Sequence, residues 1–472
     1  MNPVWNNKFK DTFLLLHFHN KTFKKMKQKS FEQMPVVNPY SAGIDVGSRS
    51  HFVAVGQDID KDVREFGVYT QDHQLMVDFL KSRGVMTVAM ESTGNYWQSL
   101  FSSLQSAGFE VMLVSGHQTK NVRAKTDVKD CMWIQKLHSL GLLRGCFMPD
   151  RYTSRIRTVH RHRSSLTEES VKMVNKMQKS LRLMNVRLDV VVSDITGKTG
   201  MSILESILKG ERDGKVLSNL ADPRVKKSRE EIARALEGTW EEELLFELGH
   251  CYDLYRFLEE KIRSCDKKIE GILNEFTQEV SIGEEEKSTL EQYRRVRKQP
   301  DINLPELSYK MYHVDLFSIE SVSYGTVLSL ISEIGYGIYE FKTAKQFASF
   351  LRLAPNNRIS GGKVISSRTP KGANRFALTL RNAANSIDKQ KDGALTRFFK
   401  RIAYKKGRGA AITATARKLA VIIWNMIVKR EPYKPMDVEE YQERIKEKTV
   451  TYIKKKISSL GLSKEELMVA LE

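Results

Sequence analysis

The chain has 472 residues, 41% of them hydrophobic, which suits roughly two or three domains with apolar cores and argues against wholesale disorder. Lys and Arg number 77 against 57 Asp and Glu, a formal charge of +20 that points to a polyanionic partner. The apolar stretches Phe13–Leu16 and Ala420–Trp424 fall far short of the ~20 residues of a spanning helix, so nucleic acid is favoured and a membrane is not expected.

Residues 1–40 read as a basic, flexible extension, with Lys21, Lys24, Lys25, Lys27 and Lys29 as its cationic cluster. The pattern changes at Ala42. Gly43-Ile-Asp-Val-Gly and His51-Phe-Val-Ala-Val predict two strands joined by a turn. A helix follows over Thr70–Arg83 with Leu75, Phe79 and Leu80 on one face, then a buried strand from Val85. A helix over Gly94–Ala107 and a strand from Glu110 complete an alternation that predicts an α/β domain over 41–150.

Residues 151–187 predict a long basic helix. Arg151, Arg155, Arg157, Arg161, Arg163 and Lys172 are its expected phosphate contacts, against the plainer reading of a solvated helix face. Apolar residues over 222–277, among them Leu248, Leu254, Phe257, Leu258, Ile262 and Ile269, predict a helical hairpin or coiled-coil surface within a linker and oligomerisation region, 151–300. A mostly helical domain is expected over 301–435 and a helical tail over 436–472. The four cysteines form no CxxC pair and are read as reduced thiols of a cytoplasmic protein; no signal peptide is recognisable.

Four carboxylates carry a chemical reading. Asp45 lies in the first strand and Glu91 ends a later one, while Asp127 and Asp130 share one helix face at i, i+3. Clustered carboxylates repel unless a cation neutralises them. Oxygen donors suit Mg²⁺ or Mn²⁺, and such ions can stabilise the entering and leaving oxygens of a phosphodiester displacement. Singly, each acid has a plainer role, Asp127 in particular as a helix cap.

Gly43-Ile-Asp-Val-Gly, Glu91-Ser-Thr-Gly-Asn-Tyr-Trp and Lys125-Thr-Asp-Val-Lys-Asp together resemble the N-terminal signature of the DEDD insertion-sequence transposases, relatives of the Piv-type DNA invertases. The resemblance spans roughly residues 40–430. It implies an RNase H-like domain, similar to a Holliday-junction resolvase, with Asp45, Glu91, Asp127 and Asp130 as both catalytic and metal-binding residues. The stretch Leu353-Ala-Pro-Asn-Asn-Arg-Ile-Ser-Gly-Gly-Lys resembles the family's second domain, which implies Ser360 as nucleophile. Arg358 and Lys363 flank that hydroxyl with positive charge, and Gly361 and Gly362 would let the backbone approach a phosphate; the plain alternative is an ordinary turn.

The resemblance further implies DNA as substrate, a structured noncoding guide RNA and a homo-oligomer, dimer or tetramer, of a cytoplasmic, nucleoid-associated protein. The helices of 222–277 are the expected subunit junction. One departure stands out: Ser321 and Ser323 occupy positions where the family has glycines of a helix-hairpin-helix turn. The competing functions are a metal-dependent hydrolytic nuclease or junction resolvase, and a nucleic-acid-binding protein without catalysis.

Overall fold

The computed structural model describes residues 34–56, 62–119, 126–293, 295–296, 298–372, 374–390 and 392–461. The basic cluster Lys21–Lys29, the run Phe13–Leu16 and the end of the expected tail lie outside them. The chain divides into two compact units, Met1–Met148 and Pro149–Glu472.

The first unit is built on a mixed five-stranded sheet. Its strands are β1 (Ser41–Val46), β2 (His51–Val55), β3 (Val63–Phe66), β4 (Thr87–Glu91) and β5 (Glu110–Val114), in the order β3-β2-β1-β4-β5. β1, β2 and β3 form an antiparallel meander, and β4 and β5 continue it in parallel with β1. β1 is central and covered on both faces, which is why it reads as an apolar run. β3 carries Arg64 and Glu65 exposed on the sheet edge and was not expected from its composition.

Helix α1 (Thr70–Ser82) and helix α2 (Trp97–Ser106) cover one face, packing Met76, Leu80, Leu100 and Leu104 against Ile44, Val53 and Met90. Each such fully buried side chain contributes about 1.5–3 kcal/mol. Leu75 corrects the expected α1 face: it is 60% exposed, because the inward stripe runs His73, Met76, Val77 and Leu80. The other face receives α3 (Gly116–Thr119) and α4 (Asp127–Ser139), with Ile134 and Leu137 of α4 against Ala89 and Val114.

The second unit begins at α5 (Arg151–Leu183), capped by Asp150, whose Oδ1 accepts the Thr153 amide at 2.9 Å. Its main partner is α6 (Glu242–Thr277), a single helix of 36 residues within the stretch expected to form a helical hairpin or a coiled-coil surface; Trp240, just before it, has φ +58°. Arg155 meets Glu275, Arg163 meets Asp266, Ser170 meets Glu259 and Ser180 meets Glu247. Partners recede along α6 as α5 advances, so the two helices are antiparallel. The coiled-coil seam predicted from sequence is thus filled within the chain. The buried stripe of α6 runs Leu248, Cys251, Tyr255, Ile262 and Ile269, whereas Leu254 and Phe257 point outward at 50% and 53% exposure.

One end of this pair joins a core with α7 (Tyr324–Glu333), α8 (Arg375–Ile387), α9 (Ala394–Lys406) and α10 (Arg408–Lys429). Ile156 and Ile269 meet Leu328, Phe376, Leu395 and Ile423 there. The opposite end closes over the short helices between 188 and 235, where Met177, Leu181, Leu248 and Tyr252 meet Ile203 and Leu204. Helix α10 is long and apolar enough to cross a membrane, but its apolar face, Leu419, Ile423 and Ile427, is buried in the first of these cores. A last helix, α11 (Val438–Leu460), follows.

Candidate active site and nucleic-acid interface

Residues 41–44 of β1 pair in parallel with 87–90 of β4, ending at Ile44 opposite Met90. Asp45 and Glu91 are the next residue on each strand. They therefore emerge side by side at the carboxyl end of the sheet, on the face of Gly43 and Ala89. That face is the one α4 covers. Near the end of α4, Gln135 Nε2 donates to the Ser41 carbonyl at 3.4 Å and His138 Nε2 lies 2.9 Å from Thr87 Oγ1. Both strand residues are the first of their strands, so α4 runs opposite to β1 and β4. Its first turn, with Asp127 and Asp130, is delivered to the end where Asp45 and Glu91 sit.

Gly43 makes this packing possible: a Cβ there would lie 2.5 Å from the Cys131 carbonyl oxygen and 2.6 Å from Gln135 Cα. The charge of the acids is felt locally. Burial, and after it the Asp45 and Asp130 carboxylates, push the Cys131 thiol up to about 12. Asp127 is not the cap of α4. Thr126 is, its Oγ1 accepting the Lys129 amide at 3.3 Å, which leaves the Asp127 carboxylate exposed in the first turn. Glu91 Oε2 accepts a hydrogen bond from Thr119 Oγ1 at 2.6 Å, and Gly116 packs against its other oxygen. Thr119 is a partner that sequence reasoning missed, since 28 residues separate it from Glu91 with no periodicity linking them.

Four carboxylates at one sheet end have the donor chemistry of a Mg²⁺ site, and the positive end of α4 adds to the favourable field for acids there. Among the described residues no three His, Cys, Asp or Glu side chains close on a common point as a metal would require. The fit is one of donor type and of a shared sheet end, not of a closed coordination shell.

Ser360 lies in the second unit on an exposed hairpin of β6 (Arg358–Ser360) and β7 (Lys363–Ser366). Ser360 pairs with Lys363 across a two-residue turn, Gly361 at φ +55° and Gly362 at φ +75°. Two successive positive φ values define a type I′ turn, and that geometry accounts for both glycines. Lys363 is the cross-strand partner of Ser360, and Arg358 lies two residues before it, beyond a shift of register between Arg358 and Ile359. Ser360, Arg358 and Lys363 are all exposed to solvent on this short hairpin.

Most of the expected phosphate contacts of α5 have partners within the chain. Arg163 is 11% exposed and forms a 2.5 Å ion pair with Asp266, itself 2% exposed. Arg157 donates to the Ser332 and Glu333 carbonyls, and Arg161 grips the Glu333 carboxylate with two bonds of 3.0 and 2.8 Å. Arg155 pairs with Glu275 and Lys172 with Glu169. Arg155, Arg157, Arg161 and Arg163 thus tie α5 to its neighbours in the unit, whereas the exposed Lys172–Glu169 pair lies within α5 itself. Arg151 remains exposed at the start of the helix.

In the segment where the family has glycines, Ser321 adopts φ +68°, and among the described residues its buried Oγ has no hydrogen-bond partner. The backbone therefore keeps the conformation that glycine favours. Ser321→Gly is expected to raise unfolding free energy by about 1 kcal/mol, relieving the left-handed strain and the orphan hydroxyl at some cost in chain entropy. Thermal melts of Ser321→Gly and Ser321→Ala check this, since alanine retains the strain; equal melts would contradict it.

Comparison with known proteins places both units. A family model described as a transposase matches residues 42–186. A second, described as transposase of the IS116/IS110/IS902 family, matches residues 315–399. These two segments are thus similar to transposases, and the second to those of the IS116/IS110/IS902 family of insertion-sequence elements. The chain is 29% identical over 126 residues to the transposase for insertion sequence element IS1111A of Coxiella burnetii (strain RSA 493 / Nine Mile phase I), a match covering 25% of this chain and 33% of that relative. The chain thus spans about a third of the length of the curated relative it matches.

Proposed function

We propose that this chain cuts and rejoins DNA at the ends and target of an insertion sequence, with Ser360 as nucleophile. Asp45, Glu91, Asp127 and Asp130 would hold Mg²⁺ or Mn²⁺. The observation that carries the reading is a coincidence of segments: the match over 42–186 contains all four carboxylates, and that over 315–399 contains Ser360, Arg358 and Lys363. The three-stranded meander continued by two parallel strands, with acids at the ends of β1 and β4, supports an RNase H-like reading of the first unit.

In this reaction Ser360 Oγ attacks the phosphorus of a DNA phosphodiester. The bond from phosphorus to the leaving deoxyribose oxygen breaks, and that oxygen takes up a proton as the serine hydroxyl loses one. The phosphoserine ester keeps the energy of the broken bond. A recipient hydroxyl can then displace Ser360 and reseal a strand without a nucleotide cofactor. Arg358 and Lys363 stabilise charge on the non-bridging oxygens. Metal ions held by the carboxylates would supply further neutralisation of that charge. Pairing between a structured noncoding RNA and DNA would select the sites, with the protein reading backbone and shape. Strand exchange requires several active sites, hence an oligomer, and the setting is the nucleoid in the cytoplasm.

Ser360→Ala is expected to abolish the covalent protein–DNA adduct and to lower recombination of the element's ends by on the order of 10³-fold or more. Adduct formation by the alanine variant would remove serine chemistry from the account. One observation favours a second reading, metal-dependent hydrolysis with Ser360 structural: the type I′ turn explains Gly361 and Gly362 without any phosphate. Nicked DNA with free ends and no adduct, from wild type and Ser360→Ala alike, would select it.

A further inference from the structure

Helix α9 buries Leu395 and Phe399 and turns Lys400, Arg401, Tyr404 and Lys405 to solvent. Tyr404 is 91% exposed, although a ring of this size normally gains from covering 150–250 Å² of its surface. Lys400 and Arg401 precede it by four and three residues, so they share its helix face. Beside them Lys418 of α10 has its ammonium 4.9 Å from the Phe398 ring and 5.7 Å from that of Tyr441. Arg401 Nε donates to the Tyr441 hydroxyl at 3.2 Å.

The charges here are mostly of one sign. Burial lowers the Lys418 ammonium pKa, and Arg401, Lys448 and Arg444 lower it further, while Glu320 acts the other way; Arg444 is itself paired with Glu440 at 2.8 Å. Glu320 is itself engaged, 2.5 Å from the Tyr433 hydroxyl. Gathering cations from three helices around one point is unfavourable in isolation and is offset by a polyanion. An uncovered aromatic among backbone-spaced cations is the arrangement that takes a nucleic-acid strand with its bases unpaired, since a base inside a duplex has no free face to stack.

We propose that the outer face of α9, together with Lys448 of α11, binds a single-stranded stretch of nucleic acid, with an unpaired base stacked on Tyr404. Lys400, Arg401 and Lys405 contact its phosphates. The proposal rests on the reading of this chain as a nucleic-acid enzyme and adds a site that the carboxylates and the Ser360 hairpin do not supply. The strand is DNA opened during exchange or an unpaired loop of RNA, two sources of the same chemistry.

The test is fluorescence anisotropy of the full chain with labelled oligo-dT, oligo-rU and a DNA duplex over a salt series. Tyr404→Ala is expected to weaken single-strand binding by about 5- to 100-fold at unchanged salt slope, with Tyr404→Phe close to wild type. Lys400→Ala with Lys405→Ala is expected to reduce the single-strand salt slope by roughly 1.4. A larger Tyr404→Ala effect on dT assigns the site to DNA and on rU to RNA, and either supports the proposal. Wild-type affinity in Tyr404→Ala, which is what a protein-docking role for this face would give, overturns it, as does an equal loss on duplex and single strand. Failure of the wild-type protein to bind any of the three probes would instead overturn the functional reading beneath it.

Discussion

Asp266→Ala is expected to destabilise the Pro149–Glu472 unit by about 3–5 kcal/mol, a large part of a domain's total stability. Asp266 is 2% exposed and Arg163 11%. The carboxylate accepts from Arg163 at 2.5 and 3.1 Å and from the Asp301 amide at 3.0 Å. Removing it leaves a guanidinium out of water with no counter-charge and an amide without its acceptor. The cost comes from that orphaned charge more than from the lost attraction. The double variant Arg163→Met, Asp266→Leu is therefore expected to recover most of the loss. Glu169→Ala breaks the exposed pair with Lys172, where the side chains are 47% and 62% exposed, and should change stability by less than about 0.5 kcal/mol. Urea unfolding followed by circular dichroism compares the variants. A cost below about 1 kcal/mol for Asp266→Ala would show that water reaches the pair.

Gly43→Ala is expected to cost about 3 kcal/mol and to disturb the carboxylate end of the first unit. The new methyl group would meet backbone atoms of Cys131 and Gln135, which cannot rotate away as side chains do. Helix α4 cannot slide off either. Gln135 Nε2 is bonded to the Gly56 carbonyl at 2.6 Å, and the Ser139 carbonyl accepts the amides of Val37 and Asn38. The end of α4 is pinned, so the strain opens its first turn, which carries Asp127 and Asp130. In thermal melts the wild type should gain stability with added Mg²⁺, as any ligand of the native state requires, and Gly43→Ala should lose that gain. Gly361→Ala is the contrast. Its Cβ meets nothing, but φ of +55° costs about 1–2 kcal/mol at the hairpin and leaves the Mg²⁺ response intact. An undiminished Mg²⁺ response in Gly43→Ala would separate the packing of α4 from ion binding.

The parts of this protein that were legible in the sequence are those set by local pattern. The apolar runs of β1, β4 and β5 marked the sheet, and Asp45 and Glu91 were legible as acids on the first strand and at the end of a later one. The Gly361-Gly362 pair, read as one alternative, marked a turn. β3 was missed because an edge strand bearing Arg64 and Glu65 has no apolar alternation to detect. The partners of the α5 cations were not legible because they lie far along the chain: Asp266 is 103 residues from Arg163, and Glu333 is 172 from Arg161. Periodicity along one helix reports which residues share a face; it does not report what covers that face. Leu254 and Phe257 show the same limit on α6, sitting just outside the stripe that packs.

The antiparallel pair α5 and α6 is anchored in one core at Ile156 and Ile269 and in another at Met177 and Leu248. At 1.5 Å per residue these anchor points on α5 stand roughly 30 Å apart. Between them the pair is a stiff rod, cross-braced by Arg163–Asp266 and Ser170–Glu259. A stiff rod converts small rotations into displacement: a tilt of about 5° at its foot carries the distal core through nearly 3 Å, about the length of one hydrogen bond. Whatever grips either extremity is thereby mechanically connected to the other.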